Sequence, residues 1–300
     1  MNVFNFIVED RKMKGVLVIV ALMGMLSPFA LGDVVVDDHF DDGAIGTNTT
    51  GIGSGFNSAT YSAGWTDPPV SAYVTESGTT VSLINEQLGW SRSAITSKEG
   101  AGIGANTSRF EFRGVSFSRN ASAWDWGGGG GGTDRLALGV RGDSIAEDTD
   151  AGLATGFWIQ MESDSLYTGV NSGWNGISTL FYNSSADVKT QLATWSFDTL
   201  DWEDWANQGA WDFSPVLDIT LDIDATSYAL SIAGDTITLL SGAMSGAFVN
   251  DLTTGYAFAF EQTEYPSLDT SIDQVVITEI PEPATLALLG LGGLLLRRKK

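Results

Sequence analysis

The densest group of side chains able to do chemistry lies near the front of the chain: Asp37, Asp38, Asp41 and Asp42, around His39 and Phe40. Hard carboxylate oxygens at this density are the donors calcium takes; the plainer reading is the wet end of a strand. Asp218, Asp222 and Asp224 alternate with apolar residues and so share one strand face, where either a cation or plain water would meet them. Trp202 and Trp205 sit among Asp201, Glu203 and Asp204. Rings edged by carboxylates stack on sugar faces and bond their hydroxyls, although the same rings also serve as core cover. Asn48, Asn106, Asn120 and Asn183 open Asn-x-Ser/Thr sequons, and Arg141-Gly142-Asp143 is a short tripeptide whose types also suit a turn.

Much chemistry is excluded. There is no cysteine, so no disulfide, thiol nucleophile or thiolate metal site can form. His39 is the only histidine, so any Ser-His-Asp triad must use it and a zinc site of several histidines is impossible. Between Asp33 and Ile280, eight Lys and Arg face 34 Asp and Glu. That balance disfavours nucleic acid and anionic lipid as partners and suits a secreted, soluble protein.

Period-two alternation dominates the elements that must position these residues. Val34-Val35-Val36 leads into the acidic cluster, and Gly43 to Thr60 reads as loop. Arg109 to Phe117, Asp134 to Arg141 and Phe157 to Glu162 alternate apolar with polar residues, as do Tyr256, Phe258 and Phe260 with the residues between them. Leu217, Ile219, Leu221 and Ile223 alternate with acids and hydroxyls, and after a turn Tyr228, Leu230 and Ile232 continue the pattern. This predicts an antiparallel meander with one wet face. About a dozen strands with almost no helix predict a two-sheet sandwich. Gly127 to Gly132 reads as a loop within one domain.

Asp38-His39-Phe40-Asp41-Asp42-Gly43, the Asp218 to Leu239 meander and Ser271 to Ile277 together resemble a concanavalin A-like (laminin G-like) jelly roll. The resemblance implies that the first and last strands lie side by side. Glycanases of this fold carry Glu-x-Asp-x-x-Glu on one strand. Glu162-Ser163-Asp164 matches only its first half, since Leu166 and Tyr167 stand where the last acid is needed. Glu261 and Glu264, three apart, fall on opposite strand faces.

Both ends read as addresses. Arg11, Lys12 and Lys14 precede the apolar stretch Gly15 to Leu26, and small residues at Ala30 and Gly32 follow. This is the plan of a secretory signal peptide cut after Gly32, handled by the Sec machinery; a short membrane anchor is the alternative. Met13 makes a tidier start than Met1. At the other end, Pro281-Glu282-Pro283 blocks any helix or strand from running on. The 13 residues Ala284 to Leu296 have no polar face and fall short of the ~20 needed to span a bilayer comfortably. Arg297, Arg298, Lys299 and Lys300 would hold the end on the cytoplasmic side.

This tripartite ending resembles the PEP-CTERM sorting signal of Gram-negative bacteria. The resemblance implies recognition by an exosortase, cutting near Pro281, Glu282 and Pro283, and passage to the cell surface. The expectation is therefore an all-β jelly roll over residues 33–280, flanked by a signal helix (1–32) and a short hydrophobic helix (281–300). The chain is then expected to be an exported surface or matrix protein that binds or mixes with extracellular polysaccharide, with calcium as the one cofactor in view. The alternatives are a secreted glycan hydrolase of the same fold and a structural module without ligand.

Overall fold

β-Branched and aromatic residues at alternate positions, bounded by Gly, Asp and Asn, give a chain of short strands. The computed structural model describes residues 32–64, 72–85, 89–104, 106–120, 135–145, 155–163, 174–183, 189–196, 211–212, 216–233, 238–243, 252–263 and 267–281. Among them are β1 (Asp33–Asp38), β2 (Phe56–Gly64), β3 (Ala72–Ser77), β4 (Thr80–Asn85), β5 (Gly89–Ser97) and β6 (Ala101–Gly102). Next come β7 (Thr107–Asn120), β8 (Arg135–Arg141), β9 (Gly156–Ser163), β10 (Trp174–Asn183), β11 (Lys189–Ser196) and β12 (Trp211–Asp212). The last are β13 (Leu217–Ile223), β14 (Ser227–Ala233), β15 (Thr238–Ala243), β16 (Thr254–Thr263), β17 (Ser267–Ile272) and β18 (Gln274–Ile280). The described residues contain no helix. Both flanking helices expected from the sequence, and Gly127 to Gly132, lie outside them.

Two antiparallel sheets make the sandwich. One runs β15-β14-β13-β7-β17-β4-β3, with β12 and β18 also on β7 and β1 on β18. The other runs β11-β10-β9-β8-β16-β5-β2, with β6 on β16. First and last strands thus lie side by side, as the jelly-roll resemblance implied. The meander is seen through its first turn: Leu217, Ile219, Leu221 and Ile223 of β13 are buried, and the last three pair with Ile232, Leu230 and Tyr228 of β14. Residues from Val34 to Glu279 form one compact unit.

Three readings need correction. Eighteen strands stand among the described residues where about a dozen were expected, because short strands hide in polar stretches. The stretch Gly43 to Thr60 is not all loop: β2 begins at Phe56. Nor does β7 alternate cleanly. Phe110, Phe112 and Val115 are all buried, so the phase slips by one residue at a bulge between Leu217 and Ile219 of the partner strand. Gly114 makes the slip possible, with φ at 66°, a region that favours glycine.

Candidate functional site

The acidic cluster closes β1. Asp38 is buried at 3% exposure, and its Oδ1 accepts the Phe40 N–H at 2.9 Å. This short turn lets Phe40 adopt φ of 52° and drive its ring into the core, 5.3 Å from that of Phe56. Burial pushes the Asp38 carboxyl up from its usual range; the Phe40 bond opposes this, and Asp42 and Asp41 add to the rise.

The other three carboxylates turn elsewhere. Asp37 Oδ1 accepts Gln274 Nε2 at 2.6 Å and lies 3.3 Å from His39 Nε2. Asp41 accepts the Thr50 hydroxyl. Asp42 accepts the N–H of Ala44 at 3.1 Å, the N–H of Thr49 at 2.9 Å and the Thr47 hydroxyl at 3.1 Å. Burial works against ionisation of Asp42, yet these donors hold it below the usual carboxylate range. Glu76 on β3 clips the same loop by accepting the N–H of Asp42 and of Gly43 at 3.0 and 2.7 Å. Protein donors thus take one oxygen of each of Asp37, Asp38 and Asp41 and both of Asp42, each carboxylate facing a different partner, while Asp38 Oδ2 is buried without one. No three acidic or histidine side chains among the described residues are placed to hold a metal.

Asp218, Asp222 and Asp224 also go separate ways. Asp218 accepts the Gly114 N–H at 3.0 Å, Asp222 pairs with Arg109 through two bonds of 2.7 and 2.8 Å, and Asp224 caps the turn at Thr226 and Ser227. Asn48 Nδ2 binds the carbonyls of Asp37 and Ile52, both at 2.9 Å. Arg141 is 2% exposed and lies 3.1 Å from Asp143, so the tripeptide serves the fold and presents no arginine for adhesion. Glu261 is 0% exposed, its Oε1 accepting Asn85 Nδ2 at 2.5 Å. Glu162 of β9 stands opposite Arg135 of β8; Asp164 and Glu264 lie outside the described residues.

The feature the sequence did not announce is the outer face of the eight-stranded sheet. Register places Phe258, Phe260 and Gln262 of β16 beside Thr96, Ala94 and Arg92 of β5, and the first two beside Gly139 and Ala137 of β8. Trp158 of β9 sits across from Gly139. A Cβ at Gly139 would strike the Phe157 carbonyl oxygen and come within 2.6 Å of Trp158 Cα, so glycine is what lets Trp158 lie there. Trp158, Phe258 and Phe260 form a second buried cluster, away from the main core. At the β2 edge of this face Tyr61 is 40% exposed, with the Arg92 guanidinium 5.7 Å from its ring centroid. Arg92 Nε donates to Gln262 Oε1 at 3.1 Å, while buried Gln262 Nε2 and Thr96 Oγ1 have no hydrogen-bond partner among the described residues. The available signal was apolar residues on both phases, Phe157-Trp158-Ile159 and Ala257-Phe258-Ala259-Phe260, which marks strands covered on both faces.

Trp202 and Trp205 lie outside the described residues, as do Ala30, Glu282, Pro283, Arg297, Arg298, Lys299 and Lys300. Gly32 and Pro281 are described at the two ends, both half-buried.

Comparison with known proteins bears on both ends of the problem. Residues 279–300 match the PEP-CTERM protein-sorting motif. No curated protein is significantly similar in sequence. Among solved structures, the calcium-bound exoplasmic/lumenal domain of VIP36 is similar at 9% identity, covering 83% of this chain and 90% of its own, with a TM-score of 0.50. The CBM2 module of the evolved Dit protein of Lactobacillus casei BL23 phage J-1 is similar at 10% identity, covering 84% and 97%, also with a TM-score of 0.50. Lectin II from Ulex europaeus is similar at 10% identity, covering 75% and 99%, with a TM-score of 0.41. The chain carries a PEP-CTERM sorting motif behind a concanavalin A-like jelly-roll sandwich.

Proposed function

We propose that this is an exported, exosortase-sorted protein of the cell surface or extracellular matrix, whose sandwich binds extracellular polysaccharide without cleaving it. One observation carries the reading: a PEP-CTERM motif over residues 279–300 directly follows a lectin-like sandwich whose last strand ends at Ile280.

The division of labour is then simple. Residues 1–32 direct Sec export and are cut after Gly32, with Ala30 and Gly32 as the small residues at the cut. Residues 33–280 do the work outside. Residues 281–300 hold the chain in the membrane until an exosortase acts at Pro281, Glu282 and Pro283, with Arg297 to Lys300 kept on the cytoplasmic side. Trp202 and Trp205 supply stacking surface for sugar rings. A retaining glycosidase needs two carboxyls about 5 Å apart and open to substrate. Glu261, one of the acids considered for that task, is sealed in the core, which supports binding over hydrolysis.

The test is to mix the full-length chain, in mild detergent, with extracellular polysaccharides and assay both co-sedimentation and reducing ends. The reading expects binding and no release. Release of reducing sugar that disappears in Glu162→Gln overturns it in favour of a hydrolase.

A further inference from the structure

We infer that the fold gates its own sorting: the front of the sorting motif is zipped into the sandwich and latched by Glu279. Access of the exosortase to Pro281, Glu282 and Pro283 therefore waits until the end of β18 frays. This rests on the exosortase reading and adds what controls the step.

The motif match begins at residue 279, while β18 runs on to Ile280. Glu279 and Ile280 thus belong to both, and no linker separates strand from motif. β18 pairs with two strands, β1 and β7. An enzyme that cuts a chain takes the residues around the cut as an extended segment, through backbone groups that a paired strand has already committed. Pro281 has no N–H to add to the ladder, so the zipped part stops there.

Glu279 adds the latch. Its Oε1 accepts the Gly102 N–H at 2.7 Å. Gly102 lies on β6, opposite Thr254 of β16, so this bond ties the last strand of one sheet to the other sheet. The donor is firmly held: Ala101 is 0% exposed, and the Ile103 N–H donates to the Thr253 carbonyl at 3.0 Å. Val275, Val276 and Ile277 are buried, whereas Thr278, Glu279 and Ile280 are only half-buried. Local opening can therefore free the last three residues without breaking the core. The enzyme meets its substrate only in that open fraction, which lowers its apparent affinity in proportion.

Pulse-chase of the full-length chain in an exosortase-bearing Gram-negative host tests this, with loss of Arg297 to Lys300 followed by mass. Inserting Gly-Ser-Gly-Ser between Ile280 and Pro281 should speed that loss about fivefold or more, because slack replaces fraying. Glu279→Ala should speed it about threefold, while Glu279→Gln, which keeps an acceptor, should stay close to wild type. In the spacer form Glu279→Ala should change nothing further. Thermal midpoints, read alongside, show that the sandwich is folded in each. Equal rates for wild type and the spacer form, or for wild type and Glu279→Ala, sink the gate and leave the sorting reading standing. Slower loss in either variant also sinks it, since the enzyme would then be reading Glu279 and its spacing directly. If no form loses its tail in that host, the sorting reading falls and the gate falls with it.

Discussion

Asn85 and Glu261 join the two sheets inside the core: Asn85 Nδ2 on β4 donates to Glu261 Oε1 on β16 at 2.5 Å, and both side chains are 0% exposed. The same amide also donates to Ser93 Oγ at 3.2 Å. A polar bridge between apolar layers fixes how they face each other, since sliding would strand a buried carboxylate. Asn85→Ala should therefore lower unfolding free energy by about 1–3 kcal/mol. Urea denaturation measures it, and a change within error would show that the bridge holds nothing.

The bulge in β7 should be just as sensitive. A Cβ at Gly114 would collide with the Asp273 carboxylate, and φ of 66° already disfavours any other residue. Gly114→Ala is expected to cost about 1–3 kcal/mol through overpacking and strain. The reference is Gly43→Ala, which shares a positive φ of 79° yet has nothing within 4 Å of the added carbon. It should cost less.

Acid should act on two aspartates in opposite senses. Burial opposes ionisation of Asp224, but the Ser227 hydroxyl, the Thr226 N–H and hydroxyl, and the Ser227 N–H outweigh it and hold the carboxyl below its ordinary value of 3.8. Its stabilisation is present above 3.8 and is lost as pH falls through the lower folded value. The melting-point gap between wild type and Asp224→Ala should be full at neutral pH and close below that point. Asp38, raised chiefly by burial, behaves in reverse: the folded state favours its protonated form, and that contribution fades as pH rises through the folded value. Asp38→Asn keeps the Phe40 acceptor, so it should raise the melting point at pH 7 and lose that advantage in acid.

Calcium gives a fourth test. Because each of Asp37, Asp38, Asp41 and Asp42 already accepts a bond from a different protein donor, adding calcium to chelator-treated protein should shift the melting point of Asp41→Asn as much as that of wild type. A specifically bound ion must stabilise, so a calcium response lost in Asp41→Asn would show that the cluster holds the ion after all.

Much of this was legible in the residues. The meander of β13 and β14 was plain because one face is wet, so every second residue differs in polarity. The pairing of β1 with β18 followed from a resemblance carried by Asp38 to Gly43 and Ser271 to Ile277. What escaped lay where alternation loses its contrast. In β16, Ala257 and Ala259 face the main core while the larger Phe258 and Phe260 face away. Period alone marks such a strand but cannot say which phase is inside. The β7 slip at Gly114 lies where Phe110 and Phe112 keep one phase while Val115 and Phe117 keep the other, which a single period of two reads as two faces of one strand. The acidic cluster was visible as a density of charge, but its bonds to Thr47, Thr49 and Thr50 depend on how the loop returns on itself.

The account stands or falls on the fate of the two ends. Intact-mass measurement of the protein from surface and cytosolic fractions of an exosortase-bearing Gram-negative host tests this most directly. The surface form should begin at Asp33 and lack Arg297 to Lys300. A full-length chain, found only in the cytosol with both ends retained, would contradict it.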